Sequence, residues 1–152
     1  MFVKALSAAN GTELWQQFWP ESGSMIPSSL ALDAYATRAF VAGTRVEPDQ
    51  LEGFFTVLAL NTTKGTILWE RSKDGTEAKK GNALATTFNS GRIFAVGTFY
   101  DDANFRDGFA VRAYNAQGKL LWEDGQWSDA TGTAGVRVRS FARAVTATCN
   151  RV

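Results

Sequence analysis

The chain has no histidine among its 152 residues and a single cysteine, Cys149. The first absence removes the commonest general base, the commonest metal ligand and the usual pH switch together. The second excludes an intrachain disulfide and leaves the redox compartment unmarked. No apolar run approaches the roughly 18 residues that a membrane-spanning helix needs. Neither charge is in excess: 16 Lys and Arg stand against 15 Asp and Glu, a formal net charge of +1. Nothing in bulk therefore draws the chain to nucleic acid or to an anionic membrane surface. Helix signals are missing as well, with no long stripe at 3.6-residue spacing bounded by caps. What remains is 45% hydrophobic and 20% charged, a globular composition long enough for one ordinary domain.

What is present is repetition. "ALSAANGTELW" occupies 5–15, "ALNTTKGTILW" 59–69 and "AYNAQGKLLW" 113–122. Ala5, Ala59 and Ala113 are 54 residues apart. Gly11, Gly65 and Gly118, and likewise Trp15, Trp69 and Trp122, follow at 54 and then 53. A second block repeats in phase, "RAFVAGT" at 38–44 and "RIFAVGT" at 92–98, and the closing "NRV" puts Arg151 in the place of Arg92. The opening "MFVKALSAANG" has the charge and small residues of a signal peptide. The same pattern recurs inside the chain as "FTVLALNTTKG", so it is a repeat unit already in progress.

Within one period the signals are those of strands. "SSLALDA", "RAFVAGTRV", "FFTVLAL" and "TILWERS" are apolar, β-branched or aromatic, and polar turns separate them. The motif glycines each sit between two such runs, where a tight hairpin requires positive φ. Four antiparallel strands at a period near 50 residues predict an all-β fold of β-propeller blades. A β-sandwich has no reason to repeat a Gly–Trp spacing. The expected division is a blade end at 1–22, blades at 23–75 and 76–128, and the start of a further blade at 129–152. The motif itself reads as structural: a small Ala for a crowded strand, a Gly for the turn, and a Trp to bury between blades.

The pattern resembles the tryptophan-docking repeat of the PQQ-like, or quinoprotein alcohol dehydrogenase-like, β-propeller superfamily, Ala-x-Asp-x-x-Thr-Gly-x-x-x-Trp. Ala5, Gly11 and Trp15 match it, as do Ala59, Gly65 and Trp69. Ala113, Gly118 and Trp122 match with one residue deleted before the glycine. The Asp place holds Ser7, Asn61 and Asn115, and the Thr place holds Asn10 and Lys64. The resemblance implies a ring of blades, in a superfamily that includes dehydrogenases, assembly lipoproteins and binding proteins. Its dehydrogenases hold PQQ in the central channel with calcium, a catalytic aspartate and often a disulfide of adjacent cysteines. One cysteine cannot make that disulfide, and no Asp with Glu and Asn partners stands in a cofactor arrangement. The resemblance thus points to a non-catalytic binding or scaffold segment of a bacterial PQQ-like propeller protein. The alternative is a fragment of a PQQ-dependent dehydrogenase whose catalytic residues lie outside this chain, and only that parent would bring PQQ and calcium. By the same analogy the compartment is periplasmic or extracellular.

Other constellations are weaker. "DDANFRDG" at 101–108 has the composition of a calcium loop, but Arg106 stands where a ligand is wanted. "NTT" at 61–63 fits a glycosylation sequon. Arg137, Arg139 and Arg143 share parity, so on one strand they face one way and could hold an anion; a solvated or salt-bridged face is the commoner outcome. The phase of the repeat describes an arc of under three blades, opening on a third strand and closing where a second should begin. The expected partners are therefore the remaining blades of a parent propeller, or other copies of the chain, besides a protein ligand. Continuation is favoured over self-assembly because the cut falls inside a blade. Trp15 is expected to be the most exposed of the three motif tryptophans, since its neighbour would be missing.

Overall fold

A computed structural model describes residues 1–19, 23–48, 53–72, 80–101 and 106–127. Among them are ten strands and no helix: β1 (Phe2–Leu6), β2 (Glu13–Phe18), β3 (Ser24–Leu32), β4 (Arg38–Val46), β5 (Gly53–Asn61), β6 (Ile67–Arg71), β7 (Lys80–Asn89), β8 (Arg92–Asp101), β9 (Arg106–Asn115) and β10 (Leu120–Trp127). All pairings are antiparallel and mostly sequential. β1 and β2 form a hairpin, β3 to β6 a four-stranded unit (blade A), and β7 to β10 a second (blade B). The two units are bridged by one backbone pair, Phe54↔Lys80, whereas β4 and β5 alone share nine pairs. The blades are thus stacked face to face and not run into one sheet, as a propeller requires.

The burial pattern explains why these segments are strands of this kind. β1 reads alternately exposed and half-buried, because only one face of the hairpin is covered. β4 and β5 are buried along almost their whole length, because blade A has a neighbour on each face. Toward the hairpin, blade A presents Val41, Leu58 and Leu60, against which Val3 and Trp19 pack. Toward blade B it presents Phe40, Val57 and Ala59, which meet Ile93, Ala95 and Tyr114. Phe40 stacks on Phe88 at 5.5 Å between ring centroids, joining the inner strand of blade B to this core. β3 starts four residues earlier than the run "SSLALDA" suggests, because a bulge between Pro27 and Ser29 lets the strand pass through a proline.

Candidate functional site

Each motif turn is built the same way. The residue in the Asp place offers its backbone carbonyl to the glycine N–H: Ser7 to Gly11, Asn61 to Gly65 and Asn115 to Gly118. Its side chain caps the loop, as when Asn61 Oδ1 accepts the N–H groups of Thr63 and Lys64, and Asn115 Oδ1 those of Gln117 and Lys119. A short polar side chain that folds back on the following backbone is what an Asx turn demands. The glycines at 11, 65 and 118 have φ of 74°, 71° and 81°, the left-handed region.

The motif alanine and tryptophan are cross-strand partners: Ala5 pairs with Trp15, Ala59 with Trp69, and Ala113 with Trp122. In all three hairpins the ladder slips just before the tryptophan, leaving Leu14, Leu68 or Leu121 bulged and exposed. A bulge increases local twist and re-aims the next side chain. Trp15 thereby reaches forward onto the turn of blade A, where its Nε1 donates to Thr62 O at 2.6 Å. Trp69 does the same on blade B, donating to Ala116 O at 3.1 Å. Each bond spans 47 residues. The rings lie flat against the glycines: a Cβ on Gly65 would stand 2.5 Å from Trp15, and one on Gly118 2.6 Å from Trp69.

Two arginines that the sequence reading did not single out complete the joint. Arg38 Nη1 donates to Ala116 O at 3.2 Å, the carbonyl that Trp69 also uses, and Arg71 Nε donates to Gly118 O at 2.8 Å. The one sequence signal belongs to Arg38 and is faint, Arg38 and Arg92 opening the two "RxF" blocks. Arg38, Asn61, Trp69 and Gln117 line a cavity of about 480 Å³ between the two blades at this end. Behind it, Asp33 organises the β3–β4 turn. Burial pushes its carboxyl up, but the Thr37 hydroxyl, the Arg38 and Thr37 N–H groups and the Arg38 charge together hold it below the usual value. At neutral pH it is an anion beside Arg38.

The expectation that Trp15 would be the most exposed of the three is corrected. Trp15 is half-buried and docked, whereas Trp122 is 43% exposed. The tryptophan needs the blade that follows it, not the one that precedes it. Arg137, Arg139 and Arg143 lie outside the described residues, as do residues 102–105 of the acidic loop at 101–108. Among the described residues no three Asp, Glu or Cys gather as a metal site.

A family model described as outer membrane protein assembly factor BamB matches residues 2–151. No curated protein sequence matches the chain. Among solved structures, quinohemoprotein alcohol dehydrogenase from Comamonas testosteroni is similar in fold, with a TM-score of 0.53 at 15% identity. That likeness covers 82% of this chain and 18% of the dehydrogenase, so the chain spans less than a fifth of that protein.

Proposed function

The chain belongs to the family described as outer membrane protein assembly factor BamB, and on that footing we propose that it is a non-catalytic, protein-binding scaffold segment of a bacterial periplasmic propeller. The observation that carries this reading is where the conspicuous side chains go. Trp15, Trp69, Arg38 and Arg71 all hold backbone carbonyls of the neighbouring blade's turn, which makes a rigid joint and leaves apolar strand faces outward. Exposed apolar patches of this kind are the usual mark of protein contact. On this reading the clients are polypeptides in outer-membrane assembly, and extended chains would be taken by strand addition or on these faces. The second reading, a segment of a PQQ-dependent dehydrogenase, rests on the fold likeness to quinohemoprotein alcohol dehydrogenase; fold alone does not carry activity.

One pair of titrations separates them. The purified chain is titrated with an unfolded outer-membrane β-barrel polypeptide, and separately with PQQ plus calcium while quinone absorbance and dye reduction are followed. Saturable binding of the polypeptide with no retained quinone is the expected result. Stoichiometric retention of PQQ with dye reduction would overturn the scaffold reading.

A further inference from the structure

We propose that the cavity between the two blades binds a small monocarboxylate, its carboxylate held by Arg38 and Asn61 and its apolar part resting on Leu68 and Trp69. The cavity measures about 480 Å³, a size usual for small-molecule sites. Blade A lines it with Arg38, Asn61, Leu68 and Trp69, and blade B with Ala116 and Gln117. Both walls therefore belong to described residues. The strand ends next to 20–22, 49–52, 73–79 and 102–105 all lie at the opposite end of the blades, and so do Met1 and Trp127.

The lining has donors to spare. Arg38 gives one hydrogen bond, from Nη1 to Ala116 O, and the rest of its guanidinium has no partner among the described residues. Asn61 commits Oδ1 to the N–H groups of Thr63 and Lys64, which leaves the two Nδ2 protons for a ligand. Ala116 O is already taken twice, by Arg38 and by Trp69. The carboxylate nearest to Arg38 in the chain, Asp33, spends its oxygens on the Thr37 hydroxyl and on the Thr37 and Arg38 backbone N–H groups. At this end the turns of the two blades, 33–37, 62–66, 90–91 and 116–119, carry Asp33 as their one acid against Lys64 and Lys119, with Arg38 and Arg92 opening the adjoining strands. A planar guanidinium with free N–H groups suits a carboxylate. One guanidinium, partly offset by Asp33, suits a single negative charge.

The apolar half of the site is preformed. Leu68 is bulged out of its ladder and 47% exposed. The Trp69 ring is fixed beside it by its bond to Ala116 O and by the Gly118 turn. An apolar group laid there orders no further ring, which lowers the cost of binding. The repeat pattern has Asp in the place of Asn61. An aspartate would close the turn through the same oxygen but set a negative charge in the cavity, whereas the amide offers donors. The site stands apart from the scaffold and dehydrogenase readings, since neither uses this cavity.

The test titrates N-acetyl-leucine, and separately its uncharged amide, into the 152-residue chain while the Trp69 indole N–H is followed by NMR. The acid should shift that signal saturably. The amide should bind about tenfold more weakly or not at all, because the charge-assisted bonds are lost. Two variants place the ligand without removing a joint contact. Asn61→Asp keeps the oxygen that closes the turn, and Gln117→Glu changes an exposed side chain. Each sets a negative charge beside the carboxylate and should weaken the acid by about tenfold or more, with circular dichroism unchanged. A leucine-ended peptide with a free C-terminus identifies the source: tighter binding than N-acetyl-leucine assigns the site to chain ends, and equal binding to free organic acids. Either result supports the site. No saturable shift, an acid and amide that bind alike, or folded variants that take the acid as the wild type does would each overturn the proposal.

Discussion

Gly118→Val is expected to be the most damaging single substitution in the described part of the chain. The residue sits at φ 81°, where a β-branched side chain costs about 1–2 kcal/mol. Its Cβ would also stand 2.6 Å from Trp69 Cδ2 and 2.9 Å from Cγ, so the indole must leave. With it go the bond to Ala116 O and the contacts with Phe40 and Tyr114, about 3 kcal/mol for the ring and its hydrogen bond together. The sum is about 4 kcal/mol, a large share of a domain's total stability, and about 10 °C in melting temperature for a chain of this size. The mechanism shows in the coupling. In a Trp69→Ala background, which alone should cost about 3 kcal/mol, the valine should add only its backbone strain. Full additivity by denaturant unfolding would contradict the docking geometry.

Glu123→Gln should be nearly as costly, for an electrostatic reason. Arg112 is 2% exposed, lies over the Phe55 ring at 4.8 Å and is paired through its Nε with Glu123. Neutralising the carboxylate leaves a buried guanidinium without its counter-charge, at about 3 kcal/mol. The repeat supplies the rescue. The place 54 positions earlier holds Leu58, fully buried in the equivalent blade, so Arg112→Leu should bring the double variant to within about 1 kcal/mol of the wild type. A double variant as unstable as Glu123→Gln alone would show that the ion pair is not what Glu123 contributes.

The fold was legible because a glycine and a tryptophan recur at a period that only a stacked repeat requires. The strand pairing was legible in part. "LW" after each turn hides a bulge, since sequence gives the residue count but not which residue of the two faces its partner. The direction of docking was not legible at all. A constant spacing is the same read forward or backward, so it does not distinguish a half-buried Trp15 from an exposed Trp122. Arg38 and Arg71 escaped for a different reason. Their acceptors lie 78 and 47 residues away, and no local pattern marks a cation that binds a distant carbonyl. The Asn in the Asp place looked like a departure from the family's repeat, yet Asn61 and Asn115 close their loops as an aspartate would, through one acceptor oxygen.

The central claim is that each motif tryptophan holds the blade ahead of it, and the indole N–H groups report this directly. Their hydrogen exchange can be followed by NMR on the 152-residue chain, with Trp→Phe substitutions to assign the five indoles. The N–H of Trp15 and Trp69 should be protected by about a hundredfold or more relative to Trp122, as groups released only by local opening. Equal exchange at all three, or a protected Trp122 beside a rapidly exchanging Trp15, would contradict it.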